Sequence, residues 1–164
     1  MNSVEYLIGG QKVESAPLPV YSEEAIFFLS DLSHVLLHDP VCRAYPDVTS
    51  FAFWCRKGNL QKLAASCVDR ARRLGRGLAF HVAPSNVPVN FAFSFAFSLL
   101  AGNGNIVRAP SKPFPQVERI CNAIKEILPN HPEVEKRTAF VRYPVNQEIT
   151  KAFCAEADAR LIWG

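Results

Sequence analysis

The chain has 164 residues, 49% of them hydrophobic and 20% charged, with a net charge of +3. That length fits one domain with a sizeable core, and that composition excludes a disordered chain. The small charge does not on its own argue for nucleic acid, whose binding needs a concentrated basic face; the nearest candidate for one, the run Lys62, Arg70, Arg72, Arg73, Arg76, reads rather as a solvated helix face.

The five cysteines, Cys42, Cys55, Cys67, Cys121 and Cys154, are odd in number and form no CxxC pair. They fit neither a disulfide framework nor a zinc site and point to a reducing compartment. The N-terminal MNSVEYLIGG lacks the basic start of a secretory signal. The longest weakly polar run, Val87 to Ala101, falls short of the roughly twenty residues a membrane span needs. A cytoplasmic protein without a membrane span is therefore expected.

Residues 1–75 read as a mostly helical segment. Tyr6 to Ile8 form a short extended piece, followed by a Gly9-Gly10 turn and a connector with Pro17 and Pro19. Ser22 is placed to cap a helix whose Ala25, Ile26, Leu29, Leu32, Val35 and Leu36 recur at three and four, and which stops near Pro40. His34 and His38 on it have ligand spacing, but no further ligand completes a metal motif. One or two helices follow, broken near Lys57-Gly58-Asn59. The stripe Leu60, Leu63, Ala64, Cys67, Val68, Ala71, Leu74 predicts a helix closed by Gly75 as C′ residue, with Cys67 facing inward.

From Gly77 the pattern changes. Leu78 to Ala83 is a short apolar run ended by Pro84, as a buried strand is. Phe91, Phe93, Phe95 and Phe97 then alternate with Ala92, Ser94, Ala96 and Ser98. Period two argues for a strand. The alternating residues are all small, though, so the segment is apolar all round and predicts a buried helix, with Pro88 in its first turn and Ala101-Gly102-Asn103 closing it. Asn105 to Val107 is the next strand. Pro113 and Pro115 open a helix striped by Val117, Ile120, Cys121, Ile124 and Ile127. Thr138 to Val141, Gln147 to Ala155 and Ala159 to Trp163 give strand, helix and strand. Strand and helix in alternation call for a parallel sheet with helices on both faces, whose ligands bind beyond the strands' carboxyl ends. The turns at Pro84–Pro88, Arg108–Pro113 and after Trp163 then share one edge.

Neither GxGxxG nor GxxxxGK[ST] occurs. Asn86 follows a strand and precedes a helix, so its amide serves either as helix cap, which position favours, or as donor to an oxyanion. Arg108, Ser111 and Lys112 place two cations and a hydroxyl on a strand-to-helix turn. That is either an anion site or a solvated turn.

Pro84-Ser85-Asn86-Val87-Pro88, then Ala101-Gly102-Asn103, then Asn105-Ile106-Val107-Arg108-Ala109-Pro110-Ser111 resembles the cofactor-domain run of the aldehyde dehydrogenase superfamily. The similarity is greatest to its long-chain acyl-CoA reductase (LuxC-type) branch, and Asp158 to Gly164 is similar to that branch's next cofactor strand and glycine turn. The resemblance covers residues 76–164. It implies a partial NAD(P)-binding, Rossmann-like α/β domain there, behind the N-terminal helical segment. It further implies NADPH-dependent reduction of acyl-CoA or another acyl thioester to a fatty aldehyde through a cysteine thioester. Carried over, Asn86 is the oxyanion donor, and Ser85, Arg108, Ser111, Lys112 and Gly164 are cofactor-binding. Ser111 stands where NAD-preferring members carry a glutamate, so with Lys112 beside it NADP(H) is expected. Ser85 replaces the superfamily's usual tryptophan, as in this branch. No cysteine here matches the nucleophile, which in this family lies beyond Gly164. Residues 1–164 are thus expected to be the N-terminal part of a longer enzyme, inactive alone, with a homo-oligomer possible through its open sheet edge. The alternative is a non-catalytic nucleotide- or partner-binding module of the same fold.

Overall fold

A computed structural model describes residues 4–163. Five strands form one sheet: β1 (Glu5–Ile8), β2 (Leu78–Val82), β3 (Gly104–Arg108), β4 (Thr138–Arg142) and β5 (Ala159–Ile162), in the order β1-β4-β3-β2-β5. The last four run parallel. β1 lies antiparallel against β4, Glu5 opposite Arg142, so the extended piece expected near the N-terminus is a sheet edge. The fold is α/β with a mostly parallel, Rossmann-like sheet.

Seven α-helices accompany it among the described residues: α1 (Glu23–His38), α2 (Pro46–Trp54), α3 (Lys57–Ser66), α4 (Asn90–Leu100), α5 (Pro115–Ile127), α6 (Pro132–Glu135) and α7 (Gln147–Glu156). The chain steps from β2 through α4 to β3 and through α5 to β4, then returns through α7 to pair β5 with the other side of β2. Reversing direction with right-handed crossovers puts α7 on the opposite face from α4 and α5. Strand alternation serves both faces. Leu78, Phe80, Ile106, Ala139 and Val141 meet Ile149 and Phe153 of α7, and Phe80 stacks on Phe153 at 5.2 Å. Val107 and Phe140 face the larger cluster, to which α1 to α5 contribute, so residues on either side of position 75 share it.

The phenylalanine alternation is a helix, and the structure gives its reason. Residues two apart on a helix differ by about 200°, so the four rings divide between opposite sides. Phe91 and Phe95 meet Phe140 edge-on at 5.7 and 5.0 Å. Phe93 and Phe97 meet Trp54 at 5.8 and 4.9 Å. α4 is thus a layer between sheet and α2, and the intervening small residues permit close approach. Removing a buried ring such as Phe95 costs roughly 3–5 kcal/mol.

Ser22 caps α1 as expected, its Oγ accepting from the Ala25 N–H at 3.4 Å. The stripe drawn through Leu74 does not hold. α3 ends at Ser66, Cys67 turns extended, and a 3-10 turn follows at Arg70–Arg72. Val68 and Leu74 are exposed and Cys67 is only part-buried. Gly75 is no C′ residue; it lies flat against Gly102, where a Cβ would strike the Gly102 carbonyl. Gly102 itself closes α4 at φ +86°, and its carbonyl accepts from the Leu18 N–H at 2.8 Å.

Candidate functional site

β2 lies between β3 and β5, the two strands reached by crossovers on opposite faces. β2 is therefore at a topological switch point, where parallel sheets bind ligands beyond the strands' carboxyl ends. A cleft of about 690 Å³ occupies this position, lined by Pro84, Ser85 and Asn86 after β2, Arg108 at the end of β3 and Ala109 to Lys112 after it, Val145 after β4 and Trp163 after β5. Register carries each strand to this edge. Ala109 donates its N–H to the Val141 carbonyl at 2.9 Å, and Trp163 to the Val82 carbonyl at 3.1 Å.

Five residues singled out from the sequence, Ser85, Asn86, Arg108, Ser111 and Lys112, come together here. Gly164 lies outside the described residues. The helix-cap reading of Asn86 is corrected: α4 starts at Asn90, its cap position is Val89, and no side chain caps it. The reason is length, since the turn holds Asn86 four residues ahead of the first helical residue. Asn86 is exposed, and among the described residues its amide has no protein partner. The Pro88 expected in the first helical turn lies in the turn before it.

Arg108 is held from one side. Its Nη2 donates to the Tyr143 carbonyl at 3.2 Å, and its guanidinium lies 4.5 Å from the centre of the Tyr143 ring. Its Nε is buried without a partner. Ser111 and Lys112 are exposed on the turn leading to α5. No carboxylate lines the cleft among the described residues, so the cations face it uncompensated.

A buried polar chain reaches the same edge. The Trp163 Nε1–H donates to Ser94 Oγ at 2.9 Å. Ser94 Oγ lies 2.7 Å from His81 Nδ1, and His81 Nε2 lies 3.1 Å from Asn105 Oδ1. Burial pushes the His81 imidazole down to about 4, the contact with Asn105 opposing this in part. None of these side chains was singled out from the sequence. The available signal was a histidine inside the apolar strand run and serines inside a buried helix: a buried polar group requires a partner.

None of the five cysteines lines the cleft. Burial raises Cys42 and Cys121 to about 12, with the Asp39 hydrogen bond adding to the effect at Cys42. Burial raises Cys55 as well. All three are packed thiols. Cys154 packs part-buried against the α7 face of the sheet. Among the described residues no helix is long and apolar enough to cross a membrane.

The protein family described as acyl-CoA reductase (LuxC) matches residues 60–164. That range contains the four parallel strands and every described residue of the cleft. No curated protein and no solved structure matches the chain.

Proposed function

The chain belongs to the acyl-CoA reductase (LuxC) family, and from that premise we propose that its cleft holds NADP(H) for the reduction of an acyl thioester to an aldehyde. One observation supports this above the others: the turn after β2 and the turn after β3 bring Ser85, Asn86, Arg108, Ser111 and Lys112 to a single cleft. The residues present fit the cofactor. Two cations and a hydroxyl suit phosphate, Arg108 Nε is a buried donor still without a partner, and a lining without carboxylate favours a 2′-phosphate over free ribose hydroxyls.

NADPH, when bound, supplies the hydride that turns the acyl carbonyl carbon into that of an aldehyde. Arg108 and Lys112 neutralise phosphate charge, and the Ser111 hydroxyl adds a donor. Asn86, exposed and uncommitted, donates from its amide to the thioester oxygen as that oxygen becomes negative. A covalent thioester step needs a thiolate, and the five cysteines here do not provide it, because none reaches the cleft and three are held protonated by burial. The part from residue 76 onward thus serves as the cofactor-holding part of the reaction, with α1 to α3 packed against its α4 and α5 side.

Calorimetric titration of the chain with NADPH tests the proposal. Saturable binding that Arg108→Ala weakens is expected; binding of equal strength in that variant would remove Arg108 from the site.

A further inference from the structure

The chain of buried contacts behind Trp163 has one consistent direction. Asn105 Nδ2 donates to the Asn103 carbonyl at 2.9 Å, which leaves Asn105 Oδ1 as an acceptor. His81 Nε2, 3.1 Å away, therefore carries the proton, and Nδ1 accepts from the Ser94 hydroxyl at 2.7 Å. With its proton so directed, Ser94 Oγ has a lone pair free for the indole N–H of Trp163 at 2.9 Å. His81, Ser94 and Asn105 are all buried, so none has water as a substitute partner, and losing one contact leaves a neighbour unsatisfied. The low pKa of His81 agrees with a neutral imidazole in this role.

Trp163 differs from the other members. It is 41% exposed and lines the cleft, yet its polar end is fixed to the interior. β5 pairs with β2 on the side away from β3, so the indole stands at the end of the cleft remote from Arg108. A rigid aromatic face at one end and uncompensated cations at the other match a ligand with a planar ring and phosphates.

We infer that Trp163 is the aromatic wall against which the planar ring of the dinucleotide remote from the cations stacks, and that Ser94 and His81 are positioning residues that hold its indole in place. The inference rests on the reading of this cleft as a nicotinamide-dinucleotide site. Ser94 acts through Trp163, so its effect on binding disappears when the indole is gone.

The test is a fluorescence titration with NADPH in a Trp54→Phe background, where Trp163 is the remaining tryptophan. NADPH is expected to quench Trp163 emission. Trp163→Leu, followed by calorimetry, is expected to weaken NADPH binding about tenfold, the scale of one aromatic stacking contact. Ser94→Ala is expected to weaken binding, reduce the quench and raise the mobility of the indole measured by anisotropy. Adding Ser94→Ala to Trp163→Leu should then weaken binding no further. A purely structural role for Ser94 would instead lower stability in denaturant and leave the quench unchanged. Because Trp163 is half-exposed, Trp163→Leu gives a folded variant even if Ser94→Ala does not. If Arg108→Ala weakens NADPH binding while Trp163→Leu leaves it unchanged, the inference is wrong and the site stands. If the parent chain binds no NADPH, both fall.

Discussion

Trp163 and Ser94, 69 positions apart, are joined at 2.9 Å by the indole N–H and the serine hydroxyl. The bond ties the last described residue, just after β5, to the middle of α4, which runs behind the sheet. One end of the cleft is therefore built on the core. The other end rests on Arg108, itself held against Tyr143. Loops form the cleft, but two of its side chains are anchored by groups that have little freedom to move.

The cations should determine cofactor choice. A charged hydrogen bond to phosphate contributes about 1.5–3 kcal/mol, so Arg108→Ala is expected to weaken NADPH binding by ten- to a hundredfold. Lys112 is exposed and should matter less for affinity. Its removal is expected to reduce the preference for NADPH over NADH, measured as the ratio of the two Kd values. An unchanged ratio would exclude Lys112 from contact with the 2′-phosphate.

His81 makes stability depend on pH in a defined window. Its folded pKa of about 4 lies below the ordinary value of 6.5, and its polar neighbours Ser94 and Asn105 do not titrate. Above pH 6.5 the imidazole is neutral in both folded and unfolded chains, and stability is full. Between 6.5 and 4 the unfolded chain takes up a proton that the folded one refuses, so stability falls. Below 4 both are protonated and the dependence ends. The full loss is about 3 kcal/mol. Urea unfolding at pH 7.5 and 4.5 should show most of it, and His81→Gln should abolish that part of the slope. An equal slope in the variant would assign the loss to other groups.

Much of the fold was legible because strand and helix alternate with short turns, and Pro84, Pro115 and Gly102 mark the boundaries. The phenylalanine helix was legible because its intervening residues are small; which ring faces which layer was not, since that depends on where α2 docks. The stripe through Val68 and Leu74 misled because a periodic pattern does not tell whether anything packs on it, and the chain turns extended at Cys67 instead. The strand-end rule put the turns carrying Asn86 and Arg108, Ser111 and Lys112 on one edge, and these residues line one cleft with Ser85, which only the family resemblance had singled out. The network of His81, Ser94 and Asn105 stayed hidden. Each sits in a different element, and their pairing follows from the register of β2 with β3, which puts His81 opposite Val107 and Ala79 opposite Asn105.

β5 pairs with β2 on one side, and among the described residues no strand covers its other edge. Ile162 on that strand is 70% exposed. Open edges with apolar neighbours template pairing between chains. Light scattering of the isolated chain should show self-association that rises with concentration, and Ile162→Lys should reduce it. A monodisperse monomer at high concentration would contradict this.

The cysteines predict inertness. With acyl-CoA and NADPH supplied together, the chain alone is expected to leave the 340 nm absorbance unchanged. Turnover that Cys→Ser replacement at one of the five positions abolishes would show that a packed thiol reaches the cleft after all.

Nuclear magnetic resonance of the isotope-labelled chain titrated with NADPH shows whether the cleft at the strand ends holds the cofactor. That placement requires shifts at the amides of Ser85, Asn86, Arg108, Ser111 and Lys112 and at the indole N–H of Trp163, with a second groove, lined by His34 and His38 of α1 and Arg119 and Glu126 of α5, unmoved. Shifts confined to that groove, or to any surface away from the strand ends, would contradict it.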